Sequence, residues 1–315
     1  MSGVRIREVG PRDGFQNEPE VIPTDRKVEL IDGLARTGLA RLEATSFVRA
    51  DVIPQLADAP EVLAAIDVPP EVGVSVLIPN ERGLDAALQA LERTPVNARR
   101  ARAFDEVNVF LSASETHNRK NVNRAIAESL AGVEAVLGRA REAGLRCEGV
   151  ISTSFGCPYE GHVPVERVLS IAAALRDAGA QEVGFGDTTG MANPRQVSEF
   201  FARAQEDLGG GVELTAHFHN TRGQGLANAL AALDAGIESF ESSFGELGGC
   251  PVPPGATGNI ATEDLVSMLH EMDVQTGIDL DALIACARRV QEVLGRPLGS
   301  HTLVAGPVGW EHAGR

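Results

Sequence analysis

Residues 213–245 read ELTAHFHNTRGQGLANALAALDAGIESFESSFG. The first eight have strand character and are too few for an ordinary helix. The stretch RGQGLANALAALDAG at 222–236 then sets Leu226, Leu230 and Leu233 on one helical face, and Gly236 follows as a stop. SFESSFG at 239–245 opens a second strand. The same unit recurs along the chain. Strand segments are expected at 4–10 (VRIREVG), 41–47 (RLEATSF), 72–78 (VGVSVLI), 106–112 (EVNVFLS), 146–152 (RCEGVIS) and 182–188 (EVGFGDT). VERVLSIAAALRDAGA, at 165–180, is the clearest of the helices between them, and Gly144, Gly179 and Gly236 each close a helix just before a strand. Eight alternations predict a TIM (β/α)8 barrel. An open doubly wound sheet is the competitor; even spacing, and no Gly-rich nucleotide fingerprint after the first strand, favour the barrel. EDLVSMLHEM and DLDALIACARRVQEVLG add C-terminal helices. One catalytic domain is therefore expected over 1–315, with about 262–295 as appended helices and 296–315 as a Gly-rich tail.

The formal net charge of −16 argues against nucleic acid as a partner, because phosphate binding needs a basic surface. A small anionic ligand needs only a local basic patch. Four cysteines without a C-x-x-C pair fit a reducing compartment. MSGVRIREVG has neither a signal core nor transit character, and no apolar run is long enough to span a bilayer. A soluble, cytoplasmic protein with no membrane partner is the expectation.

In such a barrel the chemistry sits at the C-terminal ends of the strands. Arg12, Asp13 and Gln16 fall there after the first strand, Glu43 and Ser46 on the second, Asp187 and Thr188 on the sixth, His217 and His219 on the seventh, and Cys250 and Asn259 after the eighth. Alternate strand residues share a face, so His217 and His219 project together while Phe218 packs against the outer helices. Two imidazoles on one face suit a divalent metal, and Asp13 and Asn259 can add oxygen ligands of the kind that Mg²⁺ or Mn²⁺ takes. The pair is equally open to reading as hydrogen-bonded core histidines, and two histidines with a carboxylate also describe a non-haem iron site. Arg12 and Asp13 alone read as a loop ion pair, Cys250 as a small buried residue, and Glu43 as the partner of an arginine inside the barrel. Asp187 lies too early to cap the helix that starts near Asn193.

Taken in order, GPRDGFQNE, LEATSFV, GCPYEG, GDTTG, HFHN and GGCPVPPGATGNIATEDLVSML resemble 3-hydroxy-3-methylglutaryl-CoA lyase, of the metal-dependent carbon–carbon lyase superfamily that also holds isopropylmalate and homocitrate synthases. The resemblance covers roughly residues 4 to 295. It implies a barrel that uses a divalent cation to split hydroxymethylglutaryl-CoA into acetyl-CoA and acetoacetate. By resemblance the metal ligands fall on Asp13, His217, His219 and Asn259, the essential arginine on Arg12 and the loop cysteine on Cys250. Glu43, Asp187, Gln16 and Ser46 match further site positions. Lys120 and Asn121, in THNRKNVNR at 116–124, match a pattern that contacts coenzyme A.

The chemistry implied gives each residue type a task. Arg12 stabilises charge on a thioester enolate oxygen. Asp13 or His217 takes the hydroxyl proton. Cys250 returns a proton to carbon or closes a loop, and Glu43 and Asp187 orient the others. The resemblance and the appended helices also imply a homodimer. A condensing synthase of the same superfamily is the related alternative, disfavoured because the chain ends soon after Gly295. Many members read H-x-H-D-T-Y-G where this chain has Asn220, Thr221 and Arg222, and Val-Ala-Gly-Leu where it has Phe244-Gly245-Glu246-Leu247. At Ala125 many have a serine. Glu246 in particular leaves open a different 3-hydroxy-3-alkylglutaryl-CoA or a related 3-hydroxyacyl-CoA.

Overall fold

The computed structural model describes residues 3–94, 100–249 and 257–309. Eight parallel strands close into a barrel in chain order. They are β1 (Arg5–Glu8), β2 (Arg41–Ser46), β3 (Gly73–Leu77), β4 (Glu106–Ser112), β5 (Arg146–Ser152), β6 (Glu182–Asp187), β7 (Glu213–Phe218) and β8 (Ser239–Ser242). Closure comes from β1 pairing with β8, Arg7 beside Glu241. Each strand lies within the segment expected from the sequence, so the TIM barrel holds and the open sheet is excluded.

Helices surround the barrel, and the outward strand residues Val183, Phe185, Ala216, Phe218 and Phe240 are buried beneath them. Phe155 stacks edge-on to Phe200 with ring centroids 5.0 Å apart and reaches Phe218 at 5.8 Å. Such contacts explain why the residue between the two histidines is aromatic. After the barrel come helices Thr262–Glu271 and Leu280–Leu294. A short helix, His301–Ala305, follows, capped by Ser300. The carboxylate of Asp264 accepts from Ser300 Oγ and from the backbone N–H groups of His301 and Thr302, so the first part of the expected tail is docked. Among the described residues no helix is long and apolar enough to cross a membrane.

Barrel interiors are ordinarily filled by Val, Ile and Leu. Here the inward residues include Arg7, Arg41, Glu106, Glu148, Glu182 and Glu241. Arg7 is 1 % exposed. Its guanidinium bonds Glu148, Glu182 at 3.0 Å and Glu241 at 2.7 Å, with Glu106 at 3.8 Å. Arg41 joins Glu106 at 2.5 Å and Glu182 at 2.6 Å. Burial disfavours the charge on Arg7, but the glutamates outweigh it and hold the guanidinium protonated. Removing one member of such a web strands buried charge. Arg7→Met is expected to lower unfolding stability by about 3–5 kcal/mol in urea titrations near neutral pH. A loss of under about 1 kcal/mol would mean that the glutamates do not depend on Arg7.

Candidate metal centre

The chain leaves β1 through a π-helical turn, Gly10–Gly14, an irregularity often found at functional sites. Gly10 is required there, since a Cβ would lie 2.3 Å from the Phe244 ring. The turn presents Arg12 and Asp13 side by side, with Arg12 Nη1 donating to Asp13 Oδ1 at 2.6 Å. Arg12 Nε donates to Glu43 Oε2 at 2.5 Å, so the arginine partner of Glu43 is Arg12 itself. Arg12 Nη2 makes no hydrogen bond among the described residues. Asn108 on β4 donates to the other Glu43 oxygen at 2.9 Å. Gln16 Nε2 donates to Asp13 Oδ1 at 2.9 Å.

On β7 and just beyond it, His217 and His219 face the same way, ring centroids 5.2 Å apart. His217 lies beside Glu241 in the β7–β8 register, and its Nδ1 is 2.8 Å from Glu241 Oε2. His219 bridges to Asn259 on an antiparallel pair. The Asn259 amide donates to Asp13 Oδ2 at 2.8 Å and to the Leu247 carbonyl at 3.0 Å, leaving its buried Oδ1 without a partner. His219 Nδ1 is likewise buried and unpartnered. Gly248, at φ +86°, lets backbone approach here, as a Cβ would sit 2.6 Å from Asn259 Nδ2 and 2.9 Å from Asp13 Oδ2. Ligand atoms of Asp13, His217 and His219 all lie within 4.8 Å of one another. Unsatisfied buried acceptors beside two imidazoles and a carboxylate fit a divalent cation, and the oxygen-rich share of the donors fits a hard one.

The acidities agree with that division of labour. Burial opposes charge on Asp13, yet Arg12, His217 and His219 outweigh it and hold the carboxyl at about 2. Burial and the neighbouring His217 push His219 down to about 4, so its ring is neutral and free to ligate at physiological pH. Burial also lifts Asp187 to about 6. As expected, Asp187 does not cap the helix that follows; its Oδ1 accepts from the N–H groups of Met191 at 2.8 Å and Ala192 at 3.1 Å, upstream of that helix. It organises the turn that leads to Asn193, which is the actual cap of the helix Pro194–Leu208. Asp187 Oδ2 is buried and unpartnered.

Other expected residues fall differently. Ser46 is buried with an open Oγ. Lys120 and Asn121 are exposed on the helix Glu115–Val122, Lys120 Nζ standing 4.9 Å from the Tyr159 ring centroid, and no described contact ties them to the cluster. Cys250 lies outside the described residues. Glu246 Oε1 accepts from Asn220 at 3.0 Å, and a Cβ at Gly299 would meet its Oε2 at 2.2 Å. Two of the positions that depart from the family pattern, Asn220 and Glu246, thus bond each other against the C-terminal segment. Arg222 donates to the carbonyls of Thr189 at 2.9 Å and Gly190 at 2.7 Å, bracing the turn that Asp187 organises.

Four acceptors or donors escaped the sequence reading: Glu241, Asn108, Glu8 and Glu263. Glu8 accepts from Gly10 N at 2.7 Å, Phe244 N at 3.0 Å and Thr262 Oγ1 at 2.6 Å, joining the turns after β1 and β8. Glu263 accepts from Gly245 N at 2.9 Å. For Glu8 and Glu263 the available signal was an acid beside apolar residues; Glu241 and Asn108 carried none.

Burial, with the nearby Glu8 adding to it, pushes Glu263 up to about 8. The unfolded chain loses that proton near 4.5, so the native state binds more protons between the two values and stability falls as pH rises through that window. Glu263→Gln keeps the acceptor and has no proton to lose. Its unfolding free energy is expected to gain on wild type by on the order of a few kcal/mol from pH 5 to pH 8. Parallel urea midpoints across that range would rule this out.

Together the fold and the cluster define a (β/α)8-barrel protein with a candidate cation centre at the C-terminal mouth. The HMGL-like family model matches residues 3–290. A hydroxymethylglutaryl-CoA lyase of Bacillus subtilis is 45% identical over 300 residues, 95% of this chain and 96% of that protein. A cytoplasmic 3-hydroxy-3-methylglutaryl-CoA lyase of Danio rerio is 41% identical over 94% of this chain and 85% of its own length. The structure of an HMG-CoA lyase from Acinetobacter baumannii in complex with coenzyme A and 3-methylmalate superposes with a TM-score of 0.89 at 40% identity, covering 96% of this chain and 95% of that one. The chain belongs to the HMGL-like family.

Proposed function

We propose that this chain is a lyase that cleaves 3-hydroxy-3-methylglutaryl-CoA into acetyl-CoA and acetoacetate with the help of Mg²⁺ or Mn²⁺. The observation that carries the proposal is the convergence of Asp13, His217 and His219 beside the open Asn259 oxygen, with Arg12 alongside. Identity with lyases over nearly the whole chain supports the substrate. When bound at those four residues, the cation supplies Lewis-acid polarisation of substrate oxygens.

The protein's own groups do the rest. The tertiary hydroxyl gives up its proton, the bond between carbinol and α-carbon breaks, and the electron pair becomes a thioester enolate. Arg12 has Nε and Nη1 committed to Glu43 and Asp13, which aims the remaining Nη2 as a rigid donor toward the enolate oxygen. Asp13, held at about 2, is too weak a base and serves better as ligand. Asp187, near 6 with an open oxygen, has the acidity for taking the hydroxyl proton, whereas His217, with Nδ1 at Glu241 and its other nitrogen toward the cation site, has no lone pair left for it. Cys250 is proposed to return a proton to the α-carbon. Gln16 steadies Asp13, and Ser46, Lys120 and Asn121 are assigned to the acyl-CoA. The Asn220–Glu246 bond turns that carboxylate toward the C-terminal segment, so it gives no ground for a different acyl group. The proposal keeps a homodimer in the cytoplasm.

Purified protein with Mn²⁺ is expected to release acetyl-CoA from hydroxymethylglutaryl-CoA, and chelation to abolish the release. No acetyl-CoA with metal and reductant present would defeat the substrate assignment. Arg12→Gln is expected to cut kcat by about 10²–10³-fold, as loss of an oxyanion donor does, with Mn²⁺ affinity changed little. Full turnover in that variant would remove Arg12 from the chemistry.

A further inference from the structure

We infer that Glu241 is a positioning residue that fixes which nitrogen of His217 faces the cluster, and that Arg7 fixes Glu241 in turn. The inference rests on the cation site proposed above. Strand register creates the contact: His217 on β7 and Glu241 on β8 are direct neighbours, as are Glu241 and Arg7 on β1. Glu241 Oε2 stands 2.8 Å from His217 Nδ1, and Oε1 accepts from Arg7 Nη1 at 2.7 Å. An ionised carboxylate only accepts, so the Nδ1 proton must reside on His217 and the Nε2 lone pair is left toward Asp13 and His219. Nothing aqueous competes, because Glu241 is 3 % exposed and Arg7 1 %.

Arg7 cannot swing away. Its Nη2 donates to Glu182 Oε1 at 3.0 Å, an oxygen that also accepts from Thr215 Oγ1 at 2.5 Å, and Nη1 is shared with Glu148. His219 has no such partner on Nδ1. The two imidazoles therefore differ: one is oriented from beneath by a carboxylate, the other by backbone pairing with Asn259. A carboxylate behind a ligating imidazole raises ligand basicity and holds the ring in place.

Glu241→Gln separates these roles with little change in volume. Arg7 is donor-only, so the new amide oxygen must face it and the NH₂ must face His217. That arrangement moves the His217 proton to Nε2, the atom needed for ligation. Two-bond ¹H–¹⁵N correlation spectra of histidine-labelled, metal-free protein read the tautomer directly. Wild type is expected to show His217 protonated at Nδ1, and Glu241→Gln at Nε2. Titration with Mn²⁺ followed by electron paramagnetic resonance should then show Kd raised about 10–100-fold in the variant. An Nε2–H tautomer in the wild type overturns the inference, as does an unchanged tautomer and Kd in a folded variant. If Glu241→Gln does not fold, the wild-type spectrum decides. If wild type binds no Mn²⁺, the cation site itself falls, and the tautomer spectra still judge Glu241.

Discussion

A guanidinium with no access to water sits at the centre of this barrel, and the arrangement around it depends on keeping Arg7 charged and bonded. Glu148, Glu182 and Glu241 converge on it from three strands, and Arg41 ties Glu182 to Glu106. Buried ion webs are weak sources of net stability, because desolvation offsets most of the Coulomb gain. Their consequence lies in geometry. Each carboxylate has fixed neighbours, so β1, β2, β4, β5, β6 and β8 are held in one relation by side chains as well as by backbone ladders. The web ends at the mouth, where Glu241 meets His217.

Above that floor the carboxyl groups are sorted by their neighbours. Asp13 is crowded by donors from Arg12, Gln16 and Asn259 and stays ionised to about 2. Asp187 has backbone donors but no cation bonded to it, and burial lifts it to about 6. Glu8 and Glu263, deeper and facing the turn after β8, are lifted to about 7 and about 8. Carboxyl groups thus supply a proposed ligand, a group poised near neutrality and two structural acceptors. Desolvation raises each of them and hydrogen bonds partly offset it, but only Asp13, with cationic neighbours close by, is brought below its ordinary value.

Much of this was legible in the sequence because it is local. Strand segments follow from runs of Val, Ile, Phe and Thr, the paired orientation of His217 and His219 from alternation, and the mouth location of Arg12 and Asp13 from the barrel rule. The bond of Arg12 to Glu43 crosses from the turn after β1 to the neighbouring β2, and that of Asp13 to Asn259 depends on chain closure, the two residues lying 246 positions apart. Glu241 was invisible for the same reason. Its role follows from the β7–β8–β1 register, and nothing in SFES distinguishes a buried acid from an exposed one. Asp187 is not the helix cap, as expected, but its bonds to Met191 and Ala192 were not legible, because they depend on the intervening turn folding back onto its carboxylate. Glu246 left a different acyl-CoA open; its bond to Asn220 and its place beside Gly299 turn the carboxylate toward the C-terminal segment, which local sequence does not show.

Asp13, His217, His219 and Asn259 are proposed to form one cation site at the mouth of the barrel. Anomalous diffraction from crystals soaked in Mn²⁺ tests it most directly. One strong peak is expected within coordination distance of Asp13, both histidines and the Asn259 oxygen, with ligand distances of roughly 2.0–2.3 Å. A fully soaked crystal with no peak there, or with its strongest peak elsewhere, would contradict it.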